Sequence, residues 1–325
     1  MPSISVIGAG RIGQIHARNI AAHPLAHLAG VADSDAAAAG RLAQSCNASV
    51  LSLDEAFAAD AVLIGSPTLT HADYIERAAR AGRAVFCEKP IDLSAARVRA
   101  CLATVRDAGI TLMVGFNRRF DPSFAALKRR LDAGEIGRIE LLIVTSRDPS
   151  PPPPAYVAVS GGLFRDMMIH DLDMARFLLG EDPIEVFAVG VNLIDPAIGA
   201  AGDVDTAAVT LRTASGAICQ ITNSRRATYG YDQRIEAHGA TGMLRAGNQT
   251  QTTIEHASSA GYTSDPALPF FLERYAAAYR AELDAFVTAL ESGRPAAPDG
   301  EDGLKALLLA DAASASASSH MPVRL

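Results

Sequence analysis

The sequence predicts an α/β protein in two parts. The first is an N-terminal doubly wound parallel sheet; the second is an α+β part built on a large, mainly antiparallel sheet. Three observations carry this. The first third alternates short apolar strands with helical patterns, which requires parallel pairing through helical crossovers. Its first strand runs into a glycine-rich turn that opens a helix. After Ile139 the chain turns mainly to strands joined by short turns, which pair antiparallel. A chain of 325 residues exceeds what one compact core usually holds, so two domains are expected, 1–118 and 119–325.

The elements follow in order. "ISVIGAGRIGQIHARNI" begins with a strand, Ile4 to Ile7, followed by Gly8, Gly10 and Gly13 in GxGxxG spacing. A helical pattern then carries Ile12, Ile15 and Ile20. Gly8 permits the tight turn, Gly10 lets backbone approach a pyrophosphate, and Gly13 lets the helix pack close to the strand. The helix N-terminus offers free N–H groups to the phosphates. A second strand, "HLAGVAD", ends at Asp33, twenty positions after Gly13. An acid there accepts protons from both adenosine ribose hydroxyls and repels a 2′-phosphate, which favours NAD over NADP. The competing reading of Asp33 is a cap for the helix in "SDAAAAGRLA".

Alternation continues through "ASVL", "AVLIGSP", "THADYIERAARAG", "RAVFCEKP", "SAARVRACLATVRDAG" and "TLMVGFN". Ligands of such sheets sit beyond the strand carboxyl ends. Those ends are Gly8, Asp33, Ser66–Pro67, Glu88–Lys89–Pro90 and Phe116–Asn117.

The second part starts with one helix, "PSFAALKRRLDAG", and continues with "IELLIVTSR", "IEVFAVGVNLI", "DTAAVTLRT", "AICQITNSRR" and "QRIEAHG" as strands. Hairpin turns are expected at 213–216 and 240–242. "DPSPPPPAY" (148–156) reads as a stiff polyproline loop at the rim of an active site. A helix over 163–179 is expected to cover one sheet face. The other face, with Val186, Ala188 and Val209 left bare, is expected to meet another subunit. "ASASASS" reads as the fraying end of a C-terminal helix.

Composition excludes several partners. The formal net charge is −7 and Lys and Arg are scattered, which argues against nucleic acid and anionic membranes. Cys46, Cys87, Cys101 and Cys219 form no CxxC and suggest neither disulfides nor a metal site. No apolar stretch approaches the ~20 residues of a membrane span, and "MPSISVIGAG" lacks a signal-peptide pattern. A cytoplasmic protein is expected.

"FRDMMIHDLD" (164–173) sets Asp166 and His170 one helical turn apart, with Asp173 one turn further. Gly161 and Gly162 would let the start of that helix approach a ligand, and the face carrying Asp166, His170 and Asp173 would turn to it. Lys89, at a strand end, falls beside the nicotinamide end of a dinucleotide. The bland alternatives are an Asp166 that favours the helix dipole and a structural His170.

Together, "GAGRIG", "EKP" and "GGLFRDMMIHDLD" resemble the Gfo/Idh/MocA oxidoreductase family, and the resemblance covers nearly the whole chain. "VGFNRRFDPSF", "TSRDPSPPP", "GGLFRDMMIHD" and "SRRATYGYDQRIE" are similar to its inositol-oxidising bacterial members. The resemblance implies a Rossmann domain, an antiparallel substrate domain, NAD as cofactor, and a homo-oligomer, commonly a tetramer. It implies oxidation of the C2 hydroxyl of myo-inositol, with Lys89, Asp166 and His170 as the catalytic trio. Cofactor contacts are expected from Gly8, Gly10, Arg11, Ile12, Gly13 and Asp33. More are expected from Ser66, Pro67, Thr68, His71, Glu88, Lys89 and Asn117, with His71 ordering its loop. Candidate substrate contacts are Lys89, Asn117, Arg118, Arg147, Asp148, Asp166, His170, Asp173 and Tyr231. Some inositol dehydrogenases carry an amide at the position of Asp148 and a His at that of Ser146, which leaves the preferred stereoisomer open. Other polyols or sugars, an NAD-using glycosidase, and a ligand-sensing regulator remain compatible with the fold.

Overall fold

The computed structural model describes all 325 residues. The chain forms two compact units, Met1–Phe120 with Ala278–Leu307, and Asp121–Ala277 with Leu308–Leu325.

The first unit is built on strands β1 Ser3–Ile7, β2 His27–Ala32, β3 Ser49–Val50, β4 Ala61–Ile64, β5 Ala84–Cys87 and β6 Leu112–Val114. They pair in the order β3-β2-β1-β4-β5-β6, all parallel. The order reverses beside β1, which makes the end of β1 the switch point where doubly wound sheets bind ligands. The connections are helices α1 Arg11–Ala22, α2 Ala36–Ser45, α3 Leu53–Ala56, α4 His71–Arg80 and α5 Ala95–Ala108. Every residue of β4 is fully buried, as a strand covered on both faces requires.

The chain does not divide once at 118/119, as expected. In the structure the first unit runs to Phe120 and receives a second segment, Ala278–Leu307. The reason is packing: Leu283, Phe286 and Val287 share one core with Ile4, Val6, Ile20, Phe86 and Met113.

The second unit opens with α6 Pro122–Asp132 and strand β7 Ile139–Arg147. Helices α7 Pro154–Ser160, α8 Gly162–Asp166 and α9 Ile169–Leu179 follow, then β8 Pro183–Val191, α10 Pro196–Ala200, β9 Thr206–Thr213, β10 Ile218–Ser224, β11 Asp232–Gly239 and β12 Gly242–Ala246. A small hairpin, β13 Glu255–Ser258 with β14 Gly261–Ser264, precedes α11 Phe271–Arg274 and α12 Ala276–Ser292. Helix α13 Gly300–Ser319 and strand β15 Val323–Arg324 end the chain. The seven-stranded sheet has the order β12-β11-β7-β10-β9-β8-β15. Its pairs are antiparallel except β10 with β7. The turns expected at 213–216 and 240–242 join antiparallel neighbours. Helix α9 packs on β7 and α6.

Four expectations change. Val186, Ala188 and Val209 are buried, and the open side of the sheet instead carries Phe187, Val189, Val191 and Ile218. Side chains alternate along a strand, so one position decides the face. The 163–179 helix is broken at Met167–Met168 into α8 and α9. The proline segment does not stay a loop throughout, because Pro154 begins α7, where a missing N–H costs nothing. The serine-rich end does not fray. Ser316 is fully buried, its Oγ accepts the Ala188 N–H at 2.9 Å, and its hydroxyl donates to the Met321 carbonyl at 2.7 Å. No helix is long and apolar enough to cross a membrane.

Ser316 thus satisfies a backbone donor of β8. Ser316→Ala is expected to strand the Ala188 N–H and to cost about 1–3 kcal/mol. Urea unfolding of the two proteins measures it, and equal midpoints would mean the tail is loose as the composition alone suggests.

Candidate active site

Five parallel strand ends in the first unit bring the expected cofactor residues to one sheet edge. A Cβ on Gly8, whose φ is +108°, would lie 2.6 Å from the Gly65 carbonyl group. A Cβ on Gly13 would lie 1.8 Å from the Gly8 oxygen, so α1 rests directly on the turn. A Cβ on Gly10 would meet nothing within 4 Å. That open side, next to the first turn of α1 at Arg11 and Ile12, is the cradle that a pyrophosphate needs. No side chain caps this helix.

Asp33 accepts the Ala9 N–H at 2.6 Å and the Asp35 N–H at 2.8 Å. It ties the glycine turn to the end of β2 and leaves carboxylate lone pairs for ribose hydroxyls. The cap of α2 is Asp35, which accepts from Ala37 and Ala38, so the helix-cap reading of Asp33 falls. These residues fit a dinucleotide.

Beyond β4, Ser66 Oγ lies 2.7 Å from Thr70 Oγ1, and Thr68 opens a short 3₁₀ turn. His71 is buried with Nε2 2.7 Å from the Ser66 oxygen and Nδ1 2.8 Å from the Pro90 oxygen. Burial pushes its pKa down, so the ring is neutral at pH 7 and donates to one carbonyl at a time. It fastens the loop after β4 to the one after β5. Lys89 in that second loop is half-buried. Asn117 and Arg118 begin the turn after β6, and both are buried.

Glu88 turns inward. Its Oε1 lies 2.8 Å from His16 Nε2 on α1, and its carboxyl group packs 3.0 Å from where a Gly115 Cβ would be. Glu282 on the returning α12 is fully buried, 3.9 Å from the same nitrogen, with neither carboxyl oxygen hydrogen-bonded. Burial, reinforced by the charge of Glu88, pushes the Glu282 pKa well above the carboxylate range. Sequence reasoning missed His16 and Glu282, although His16 stands three positions after Gly13 in the fingerprint helix.

In the second unit, Gly161 and Gly162 take φ of +87° and +81°. The Leu163 N–H donates to both oxygens of Asp203 at 2.9 and 3.0 Å, and a Cβ on Gly162 would strike that carboxylate at 2.7 Å. Glycine is needed there so that α8 can begin. Asp166 is its last residue, and Oδ1 accepts the Tyr156 hydroxyl proton at 2.9 Å. His170 lies in the first turn of α9, half-buried.

Asp173 has no exposed surface and does not share an open face with Asp166 and His170. The neighbouring Asp171, absent from the sequence reading, is also buried. It accepts from Ser146 Oγ at 2.5 Å and Asn223 Nδ2 at 2.9 Å. Strand alternation turns Arg147 to the face opposite Ser146, and its guanidinium reaches the Tyr229 hydroxyl at 2.8 Å and Asp232 at 3.4 Å. The Asp148 N–H donates to Ser224. Tyr231 packs edge-on against Phe270 and Tyr275.

Comparison with known proteins adds to this geometry. Residues 3–116 match the model of an oxidoreductase family with an NAD-binding Rossmann fold, and residues 124–245 match the GFO/IDH/MocA C-terminal domain. The chain is 56% identical over 311 residues to an inositol 2-dehydrogenase of Rhizobium meliloti, covering 95% of this chain and 94% of that one. A crystal structure of a myo-inositol dehydrogenase from Corynebacterium glutamicum superposes with TM-score 0.96 at 47% identity, covering 100% and 99% of the two chains. A scyllo-inositol dehydrogenase from Lactobacillus casei with bound NAD(H) and scyllo-inositol superposes with TM-score 0.92 at 30% identity, covering 100% and 99%.

In the unfolded chain Glu282 ionises in the ordinary carboxylate range, whereas the folded protein keeps its proton to higher pH. Folding is therefore penalised increasingly as pH rises above that range. Glu282→Gln is expected to raise stability near pH 8 by on the order of 1 kcal/mol and to change little near pH 4. Thermal unfolding at both pH values checks this, and a gain of equal size at both would contradict it.

Proposed function

The chain belongs to the Gfo/Idh/MocA family of NAD-binding oxidoreductases, and from that premise we propose that it oxidises the C2 hydroxyl of myo-inositol to 2-keto-myo-inositol. NAD is the cofactor, and when bound it supplies the hydride acceptor. The observation that carries the substrate is the likeness to an inositol 2-dehydrogenase over nearly the whole of both chains.

The chain's own residues then take these roles. The turn from Gly8 to Gly13, open at Gly10, holds the pyrophosphate. Asp33 accepts the ribose hydroxyl protons and repels a 2′-phosphate. His71 keeps the loops carrying Ser66, Pro67, Thr68 and Lys89 in register through its two carbonyl partners. Glu88 serves this wall by holding His16 rather than by touching the cofactor. His170, as a neutral imidazole, accepts the alcohol proton; its unperturbed pKa of ~6.5 suits a base near neutrality. Asp166 orients that ring and stabilises its charged form. Lys89 donates to the substrate oxygen as alkoxide charge develops. Asn117, Arg118, Asp148 and Tyr231 supply polar contacts to the ring hydroxyls, whereas Arg147, on the sheet face opposite Ser146, is engaged by Tyr229 and Asp232. Asp173 is fully buried.

The open sheet face bears on assembly. Phe187, Val189, Val191 and Ile218 are each about two-fifths exposed on one side of the sheet, an apolar patch of the kind that subunits cover. We read the protein as a cytoplasmic homotetramer joined through this face. Light scattering at micromolar concentration should give a tetramer for the wild type and smaller species for Val189→Asp. A wild-type monomer would refute the assembly.

His170→Ala is expected to lower kcat for inositol oxidation by about 10²–10⁴-fold with NAD affinity nearly unchanged. The wild-type rate should fall at acidic pH as His170 takes up a proton. Turnover and NAD titration for both proteins across pH test this, and a mutant with wild-type turnover and the same acidic limb would make the histidine structural.

A further inference from the structure

Arg225, which follows β10, is 2% exposed and is the largest of the fully buried side chains. Its backbone N–H donates to the Asp205 oxygen at 2.8 Å, which fixes the start of the side chain. Its Nη2 lies 3.6 Å from Asp166 Oδ2 and 3.7 Å from Asp203 Oδ2. These separations are too long for hydrogen bonds, and neither Nε nor Nη2 has a hydrogen-bond partner. The guanidinium therefore acts on the two carboxylates through its charge. A buried cation is costly unless opposite charge is near it, and here two carboxylates share one cation.

The surroundings of Asp166 make that charge matter. Tyr156 on α7 donates to its other oxygen. Arg165, beside it on α8, is engaged by Asp311. Asp203 is engaged by the Leu163 N–H. On α9, Asp171 is held by Ser146 and Asn223, Arg176 is engaged by Asp182, Asp173 is fully buried, and His170 lies in the first turn. Arg225 is thus the cation set behind Asp166.

We propose that Arg225 is a positioning residue for the oxidation: from its buried place it holds the Asp166 carboxylate aimed by its charge, and Asp203 moderates that charge. The proposal rests on the assignment of Asp166 and His170 as orienting acid and base. Arg225 offsets the negative charge that would otherwise help His170 keep a proton, so it keeps the base free at lower pH.

The test is the pH profile of kcat/KM for inositol oxidation in Arg225→Met, Arg225→Lys and Asp203→Asn, with NADH titration and thermal melts alongside. Arg225→Met should move the acidic limb up by about one pH unit with NADH affinity unchanged. Arg225→Lys should return the limb most of the way. Asp203→Asn keeps an oxygen to accept the Leu163 N–H but removes a charge, so it should move the limb down by a few tenths of a unit. A purely structural Arg225 would lower stability or rate without moving the limb in opposite directions. If Arg225→Met is folded and keeps the wild-type limb, the proposal is overturned. If it does not fold, Asp203→Asn decides alone, and an unmoved limb overturns the proposal. His170→Ala separates the two levels. If that variant loses the limb while the Arg225 and Asp203 variants leave it in place, this inference alone fails. If that variant keeps the limb, the base is misassigned and both readings fall.

Discussion

The hydrogen bond between His16 and Glu88 joins the two parts of the first unit that the chemistry needs together. His16 belongs to the helix that the glycine fingerprint opens. Glu88 immediately precedes Lys89. The imidazole is fully buried, with the Phe86 ring 5.0 Å away and the Tyr279 ring 5.7 Å away, so it has one available place. Glu282 arrives beside it from the returning α12. A dinucleotide cradle and a lysine far apart in sequence are thereby set by one buried contact. Gly13 completes the constraint, because α1 can seat His16 only if the helix rests on the Gly8 carbonyl.

The second unit solves a similar problem with carboxylates. Asp203 receives the Leu163 N–H in the first turn of α8, and Asp205 receives the N–H groups of Leu193, Ile194 and Asp195. Asp171 anchors α9 to β7 and β10 through Ser146 and Asn223. An ionised carboxylate accepts several such donors at once, and each bond is stronger than a neutral one. The helix break at Met167–Met168 places Asp166 at one helix end and His170 at the next helix start. Tyr156 and Arg225 bear on the first of them. The side chains assigned to proton transfer therefore stand on helices whose ends are fixed by Asp203 and Asp171.

Much of this was legible in the sequence where one short stretch carries the information. Strand–helix alternation showed the parallel sheet, and the glycine spacing showed the cradle. "TASG" and "ATG" marked two hairpins, and the FRDMMIHDLD stretch marked Asp166 and His170. What escaped depends on contacts between distant residues. Nothing local to 278–307 shows that Phe286 packs with Ile4 and Phe86. Val186 and Phe187 are both apolar, so the pattern fits either face of β8, and the expectation fell on the wrong one. Ser316 looks like low complexity until the Ala188 N–H is opposite it. Nothing local marks Arg225 or Glu282 as buried, because charged residues are rarely buried without a partner, and their neighbours in space lie tens of residues away or more.

This fold and these residues are assigned to the oxidation of inositol with NAD. The measurement that bears on it most directly is NADH formation by the purified protein with myo-inositol, scyllo-inositol, the chiro-inositols and common aldoses, with aryl glycosides included to detect aglycone release. NADH should form from inositol, with myo-inositol the best substrate, and no aglycone should be released. NADH from an aldose with none from any inositol, or aglycone release without net NADH, would contradict this assignment.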